Sequence, residues 1–222
     1  MAPPAFVHAV SCGVYEGSMR AALHALKYDR MAPVARELGS RLAKAIAQMA
    51  PGTTEDAPKE MLVVPVPLHR SRLAQRGFNQ ARTLATEALR ILRKSHPEWR
   101  LELSSRSLVR QRSTESQAGL TPRQRRLNLR GAFFVSDAEG IGGRHILLVD
   151  DIYTTGATAR ACSRILVEAG AASVRVATVA RAQRRVPARI SAQMRDGRKY
   201  IRLSLPDDAE DGSNSSKTVI VH

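Results

Sequence analysis

The chain is poor in the residues that build disulfide or membrane-bound frameworks. Only 2 of its 222 residues are cysteines, Cys12 and Cys162, and no metal-ligand spacing relates them. We therefore expect no disulfide framework and a reducing, cytoplasmic location. No run of about 18 apolar residues exists that could span a bilayer, so no membrane insertion is expected. The N-terminus also lacks the basic segment and apolar stretch of a signal peptide.

Two common nucleotide-binding motifs are missing as well. A P-loop needs the pattern GxxxxGK followed by Ser or Thr, and the sequence contains no Gly-Lys pair. A Rossmann dinucleotide site needs GxGxxG after its first strand, and that pattern is absent too. These absences argue against a P-loop NTPase and against a Rossmann dinucleotide-binding protein.

Acidic and aromatic residues are scarce beside the basic ones. The sequence has 35 Lys and Arg against 20 Asp and Glu, a net charge of +15. Between Arg70 and Arg130 the balance is 15 basic to 4 acidic residues, which favours a pyrophosphate, a nucleic acid or an acidic partner. Only Phe78 and Trp99 in this block could stack on bases. The alternative is that an arginine-rich proteome simply gives its surfaces this charge.

Hydrophobic periodicity predicts an α/β protein. The predicted strands cover 7–14, 61–66, 101–109, 132–135, 146–150 and 173–180, and the predicted helices cover 18–28, 33–49, 79–94 and 157–169. A further helix is expected to begin at Thr121-Pro122, a typical N-cap followed by proline. The order strand, helix, strand over 146–180 indicates a right-handed βαβ unit. We predict a doubly wound, mostly parallel sheet.

Composition also suggests where this domain begins and ends. We assign residues 1–14 to an N-terminal extension and residues 15–182 to the α/β domain. Residues 183–222 are expected to form a largely disordered tail, because 209–217 is polar and of low complexity.

The segment HILLVDDIYTTGAT, residues 145–158, carries the clearest chemical signal. An apolar strand delivers Asp150 and Asp151 to its carboxyl end, where ligands bind on such sheets. A turn of small hydroxyl and glycine residues follows and opens on a helix N-terminus, which favours an anion. Paired acids for a ribose diol or its magnesium, beside a phosphate cradle, predict a sugar-phosphate ligand. The alternative, that both acids only cap the helix, is disfavoured because adjacent carboxylates repel.

The sequence also resembles a known family. ILLVDDIYTTGAT (146–158) resembles the 5-phosphoribosyl-1-diphosphate (PRPP) signature of type I phosphoribosyltransferases. LKY (26–28), VVPVPLHRSRLAQRGFNQA (63–81) and QAGLTPRQRRLNLRGAF (117–133) accompany it in the order seen in the ComF (competence protein F, GntX-like) family. This resemblance implies a type I phosphoribosyltransferase fold, with a flexible hood at about residues 110–127 that closes over PRPP.

The resemblance implies roles for individual residues. Asp150 and Asp151 would be the catalytic carboxylates and would engage the ribose hydroxyls, directly or through Mg²⁺. The 5′-phosphate would be held by Thr154, Thr155, Gly156, Ala157 and Thr158. Candidates on the pyrophosphate side are Arg70, Arg72, Arg76 and Lys27. For each arginine a solvated surface role is the alternative, and for Lys27 a role at the end of its helix.

The function that the resemblance implies is PRPP and Mg²⁺ binding, with transfer of ribose 5-phosphate to an acceptor that the sequence does not identify. The alternative is a non-enzymatic accessory protein of competence and DNA uptake that binds single-stranded DNA through its arginine-rich face. A protein of the competence machinery, such as a ComF-associated helicase, is an expected partner. ComF proteins commonly carry a four-cysteine zinc module ahead of the segment that matches Tyr15-Glu16-Gly17. Because Cys12 stands alone there, we expect no zinc, and either the module is lacking or the start of the chain is misassigned.

Overall fold

The computed structural model describes residues 3–28, 31–49, 59–112, 121–183, 189–195, 198–204 and 217–221. The chain divides into two compact units, residues 1–183 and residues 184–222. In the first unit the strands are β1 (His8–Val14), β2 (Glu60–Pro65), β3 (Arg100–Leu103), β4 (Leu108–Arg110), β5 (Phe133–Val135), β6 (His145–Tyr153) and β7 (Ser173–Arg181). Its helices are α1 (Gly17–Tyr28), α2 (Ala32–Ala47), α3 (Arg70–Arg76), α4 (Gln80–Ser95), α5 (Pro122–Asn128) and α6 (Ala157–Glu168).

Five strands form one sheet in the order β1-β7-β6-β2-β3, and every neighbouring pair is parallel. β4 and β5 pair antiparallel as a separate ribbon. The predicted α/β class with a mostly parallel sheet is confirmed. In the described part of the chain, no helix is both long enough and apolar enough to cross a bilayer.

The apolar run of β6 explains why this strand is central. Residues Ile146 to Val149 are fully buried, because helices cover both faces of the sheet. Leu147 and Val149 pack toward α2 and α4, whereas Ile146 and Leu148 pack toward α6. Because both faces of this run are buried, the register of β6 is fixed, and the two acids that come next in the strand lie toward its carboxyl end.

Helices α2 and α4 pack very closely on the first of these faces. Gly39 of α2 lies against Glu87 of α4, and a Cβ atom at Gly39 would overlap the Glu87 Cβ. The absence of a side chain at Gly39 therefore allows the two helices to approach.

Three local predictions need correction. The predicted N-terminal extension contains β1, which pairs with β7 in the register His8↔Arg175 and belongs to the sheet. The predicted strand over 101–109 forms as β3 and β4, because the Ser107 N–H bonds the Ser104 hydroxyl and bends the chain between them. Residues 70–76 form the short helix α3, which is absent from the predicted helices, and the His69 ring accepts a hydrogen bond from the Ser71 N–H at its start.

The second unit also departs from expectation. It contains β8 (Arg189–Arg195), β9 (Arg198–Ser204) and β10 (Lys217–Val221), in an antiparallel sheet of order β10-β9-β8. Strands thus occupy part of the tail that we predicted to be disordered. β10 is rich in β-branched residues, which suit a pleated strand despite the polar residues before it. Residues 205–216 lie outside the described residues.

Candidate functional site

Asp150 and Asp151 lie near the carboxyl end of β6, as the sequence predicts. Side chains alternate along a strand, so Asp150 shares the α6 face with Leu148, and Asp151 shares the opposite face with Val149. The backbone joins them as well, because the Asp151 N–H donates to Asp150 Oδ1 at 2.9 Å. Each face of the sheet therefore presents one carboxylate at this edge.

Asp151 has a cationic partner from another element. Lys27, in the last turn of α1, places its Nζ atom 2.6 Å from Asp151 Oδ2, and the two side chains are 20% and 18% exposed. Sequence reasoning offered Lys27 only as a phosphate contact or as a residue at a helix end. In the structure, Lys27 forms an ion pair with Asp151, one of the two acids in the segment that resembles the PRPP signature.

Burial changes the ionisation of Asp150. It raises the pKa of Asp150 to about 8, with the nearby Asp151 charge as the second cause. The Asp151 N–H and the more distant Lys27 act in the opposite direction but do not cancel this rise. Asp150 therefore keeps its proton to a higher pH than an ordinary aspartate does.

The turn after β6 carries hydrogen-bond donors and leads into the N-terminus of α6. Gly156 has φ = 72°, a left-handed conformation, and caps α6 without a side-chain hydrogen bond. Within the described chain, the N–H groups of Gly156, Ala157 and Thr158 donate to no backbone carbonyl. The Thr155 hydroxyl is buried and makes no hydrogen bond to any described residue. Together with the N-terminus of α6, these donors suit an anion.

Tyr153 lies directly over this turn. A Cβ atom at Gly156 would collide with the Tyr153 hydroxyl, and the Arg181 guanidinium carbon lies 5.5 Å from the centre of the Tyr153 ring. The cavity enclosed by the strand end, the turn and α6 has a volume of about 10 Å³, which is room for about one water. An anion the size of phosphate must therefore approach the turn from its solvent side. Sequence reasoning missed Arg181, although its place at the end of the strand next to β6 was a usable signal.

The three candidate arginines of the 70–76 region have different surroundings. Arg70 lines a cavity of about 700 Å³ at the carboxyl end of β2, between α3, α4 and β4. Arg76 donates a hydrogen bond to the Gln80 side chain at 3.2 Å. Arg72 lies near Arg110, where its positive charge helps to lower the Arg110 pKa. Of these three, only Arg70 is among the residues that line the cavity.

Arg110, at the end of β4, is a site residue that sequence reasoning did not single out. It lines the same cavity, its guanidinium carbon lies 5.4 Å from the centre of the Phe133 ring, and burial is the main cause that lowers its pKa. Its charge also interacts with Asp150.

The predicted hood is described only in part, because residues 113–120 lie outside the described residues. The helix predicted at Thr121-Pro122 is present as α5. It begins with a capping box, in which the Thr121 N–H donates to Gln124 Oε1 at 2.8 Å and the Gln124 N–H donates to the Thr121 hydroxyl at 3.3 Å.

Comparison with known proteins identifies the family. A family model described as phosphoribosyl transferase domain matches residues 73–203. The chain belongs to this family. It is 32% identical over 174 residues to DNA utilization protein YhgH of Escherichia coli (strain K12), covering 78% of this chain and 72% of that protein.

Two further relatives carry competence names. Competence protein ComFC of Bacillus subtilis is 32% identical over 168 residues, which is 75% of this chain and 61% of that protein. Competence protein F of Haemophilus influenzae is 33% identical over 123 residues, which is 54% of this chain and 50% of that protein. The resemblance to the ComF family is confirmed.

The matched phosphoribosyl transferase domain does not include the whole site. It contains the acids and the turn at 150–158, whereas Lys27 and Arg70 precede it. It also extends into the second unit, through β8 and most of β9. The Lys27–Asp151 ion pair therefore joins a residue outside the matched range to an acid inside it.

Proposed function

We propose that this member of the phosphoribosyl transferase domain family binds PRPP with Mg²⁺ and transfers ribose 5-phosphate to an acceptor, releasing pyrophosphate. The observation that carries the proposal is the sheet edge at 150–158. There two carboxylates lie beside a turn in which the Thr155 hydroxyl makes no hydrogen bond, and the N–H groups of Gly156, Ala157 and Thr158 donate to no backbone carbonyl, within the described chain. The two unpaired cysteines agree with action in the cytoplasm.

The proposed ligand contacts follow from this arrangement. Asp150 and Asp151 accept hydrogen bonds from the ribose hydroxyls. The 5′-phosphate accepts hydrogen bonds at the turn, from the residues 154–158 that the family signature implies. The space behind the turn holds only about one water, so the phosphate binds on the solvent side. There Arg181, exposed beside the Tyr153 ring, adds a positive charge.

The residues present fit a magnesium ion that arrives with its substrate. Within the described residues, no group of three or more His, Cys, Asp or Glu side chains gathers to bind a metal. Mg²⁺ is usually held by one or two carboxylates together with substrate phosphates, so such a group is not required. Asp150, which forms no salt bridge among the described residues, and Asp151 would hold it. When bound, Mg²⁺ would neutralise charge on the departing pyrophosphate.

The chain's own residues would assist the transfer through charge and position. Departure of pyrophosphate leaves positive charge at ribose C1, as in glycoside cleavage. Arg70, beside the end of β2, would stabilise the departing anion. Lys27 holds the Asp151 carboxylate in place through its ion pair.

Titration calorimetry with PRPP and Mg²⁺ tests this function. The Asp150→Asn/Asp151→Asn variant should bind PRPP at least tenfold more weakly than wild type, because it loses both carboxylates. The matched control is Glu139→Gln/Glu168→Gln, which removes two exposed carboxylates and should bind like wild type. Equal affinity of the acid-pair variant and wild type would exclude the proposed PRPP site.

A second candidate function is binding of single-stranded DNA. The specific observation in its favour is that Arg70, Arg82 and Arg110 line one cavity beside the basic surface of α4. The relatives' names, DNA utilization protein and competence protein, agree with it and with a partner in the competence machinery. Both functions can share one fold, since fold does not determine function.

A further inference from the structure

A row of polar side chains crosses three strands of the sheet beside the acid pair. Ser11 of β1 pairs in register with Thr178 of β7, and Thr178 pairs in register with Asp150 of β6. The Ser11 and Thr178 hydroxyls are hydrogen-bonded, and Thr178 and Asp150 line the same small cavity next to α6. All three side chains therefore lie on the face of the sheet that α6 covers, and the row ends at Asp150.

Thr178 is a polar residue in an otherwise apolar part of β7. It is 1% exposed, and its neighbours Val176, Ala177, Val179 and Ala180 are fully buried. A buried hydroxyl group costs free energy unless it is hydrogen-bonded, and valine has nearly the same shape without that cost. The partners of the Thr178 hydroxyl therefore indicate what this group contributes.

The shortest contact of the Thr178 hydroxyl is with Ser11. Thr178 Oγ1 lies 2.7 Å from Ser11 Oγ, whereas the carbonyl oxygens of Ala180 and Val10 lie 3.4 Å and 3.5 Å away. A distance of 2.7 Å is typical of a well-formed bond between hydroxyl groups. A hydroxyl has one proton and two lone pairs, so a Thr178 O–H that donates to Ser11 still accepts a further hydrogen bond. Ser11 is partly exposed in a surface groove, where its own proton can be donated to solvent.

Asp150 can accept a hydrogen bond from the same cavity. Its Oδ1 atom accepts the Asp151 N–H at 2.9 Å, and a carboxyl group has lone pairs for further bonds. The cavity that Asp150 and Thr178 line has a volume of about 10 Å³, which suits one water. Such a water can donate one hydrogen to Thr178 Oγ1 and the other to Asp150. Thr158 also lines the cavity, so a third hydrogen bond, the usual number for a buried water, is within reach.

We propose that a water molecule in this cavity joins the Thr178 hydroxyl to the Asp150 carboxyl group, and that Thr178 is a positioning residue for Asp150. The Asp151 N–H holds the carboxyl group from one direction, and the water holds it from a second. A carboxylate held in this way loses less conformational freedom when it meets the ribose hydroxyls or Mg²⁺. The positioning role rests on the proposed binding of PRPP, whereas the link between Thr178 and Asp150 rests on the register and the cavity.

Titration calorimetry with PRPP and Mg²⁺ tests the positioning role. Thr178→Val removes the hydroxyl and keeps the shape, and it should bind PRPP about threefold to tenfold more weakly than wild type, because Asp150 loses one hydrogen bond of its support. Thr178→Ser keeps the hydroxyl and should restore most of the affinity. Ser163→Ala is the matched control, since the Ser163 hydroxyl is buried in α6 and makes no hydrogen bond to any described residue.

The same measurement in the Asp150→Asn background shows whether Thr178 acts through Asp150. There Thr178→Val should weaken PRPP binding little further, because the carboxylate that it positions is already gone. The positioning role is overturned if Thr178→Val binds PRPP like wild type, if Thr178→Ser loses as much affinity as Thr178→Val, or if the loss is undiminished in the Asp150→Asn background.

A high-resolution crystal structure of the ligand-free wild-type protein separates this inference from the proposed function. It should show one ordered water about 3 Å from both Thr178 Oγ1 and an Asp150 carboxyl oxygen. If that water is present but wild type does not bind PRPP, the link stands and both the PRPP function and the positioning role fail. If wild type binds PRPP and no water lies between the two residues, the link fails and the PRPP site stands.

Discussion

At the scale of single residues, the Lys27–Asp151 ion pair connects α1 to the acid pair. Both partners are mostly buried, so removal of the lysine leaves a poorly solvated carboxylate beside Asp150. We expect Lys27→Met to lower the free energy of unfolding by about 1–3 kcal/mol, measured by urea denaturation at neutral pH.

The control for this prediction is Arg41→Met, which breaks the Arg41–Glu37 pair whose side chains are more than half exposed. Such a surface pair contributes about 0.5 kcal/mol or less. Adding Asp151→Asn to Lys27→Met should restore part of the lost stability. Equal losses in Lys27→Met and Arg41→Met would contradict a structural role for the buried pair.

The raised pKa of Asp150 predicts a pH dependence of stability. Its pKa is about 8 in the folded protein against an ordinary 3.8, so the folded state binds a proton that the unfolded chain has already lost. The contribution of Asp150 to stability should therefore fall as the pH rises from about 4 to about 8, and level off above that. Asp150→Asn stays neutral and should be more stable than wild type at about pH 8 by on the order of 1–3 kcal/mol, with no such gain at about pH 4.

Urea denaturation of both proteins across this pH range measures the difference. Parallel stability curves for wild type and Asp150→Asn would show that Asp150 titrates in its ordinary range.

The positions of these groups were only partly predictable. Asp150 and the turn at 154–158 follow from a contiguous motif, because an apolar strand fixes where its own end lies. Lys27, Arg110 and Arg181 each meet their partners across elements distant in the sequence. Spacing along one element holds no information about such contacts.

At the scale of elements, the turn between β6 and α6 depends on glycine at position 156. Gly156 and Gly143 have nearly the same φ, 72° and 69°, but a Cβ atom meets the Tyr153 hydroxyl at Gly156 and nothing at Gly143. Gly143→Ala should cost about 1–2 kcal/mol for its left-handed conformation. Gly156→Ala should cost about 1–2 kcal/mol more, because it also displaces Tyr153.

Thermal or urea unfolding of the two variants gives the comparison. In a Tyr153→Ala background the extra cost of Gly156→Ala should disappear. If it persists there, the cost does not come from the Tyr153 contact.

The α2–α4 interface gives a second prediction at this scale. Alanine in place of a helical glycine normally stabilises a helix by about 0.5–1 kcal/mol. Gly39→Ala should instead destabilise the protein by about 1–3 kcal/mol, because its Cβ overlaps the Glu87 Cβ and pushes α4 away. Ser40→Ala, one residue further on α2, is the control and should change stability little. A stabilising Gly39→Ala, seen as a higher urea midpoint, would show that the helices separate freely.

Periodicity predicted the long elements well and the short ones poorly. The pattern places α2, α4, β6 and α6 within a few residues of their bounds, because each buries an apolar stripe or run. α3 has seven residues and no buried side chain, so its sequence lacks an amphipathic signal. The break between β3 and β4 depends on serine hydrogen bonds rather than on hydrophobic spacing.

At the scale of the whole molecule, the net charge of +15 predicts salt-dependent binding of single-stranded oligonucleotides. Each phosphate contact contributes about 0.7 to the negative slope of log K against log salt for single strands. Replacing Arg82, Arg93 and Lys94 of α4 by glutamine should reduce that slope by about 2.

The control replaces Arg20, Arg36 and Lys44, three exposed basic residues of α1 and α2, by glutamine. It removes the same charge and should leave the slope nearly unchanged, as measured by fluorescence anisotropy at several salt concentrations. A slope near zero for wild type would leave the basic block without a role in binding nucleic acid.

The topology of the first unit was predictable in outline, because strand, helix, strand connections are right-handed and build a parallel sheet. The assignment of β1 to that sheet was not. The partner of β1 is β7, and Ser11 bonds Thr178 across 167 positions of sequence. β8 to β10 were missed for a different reason, since the polar composition of 209–217 dominated the interpretation of the whole tail.

The pairing of β1 with β7 also has a consequence for synthesis of the protein. β1 leaves the ribosome long before its partner does, because the strand that receives its hydrogen bonds begins only at Ser173. A nascent chain must therefore carry its first strand unpaired until almost the whole unit has been translated. A product that terminates before that point exposes a bare strand edge, a template for aggregation and a target for proteases.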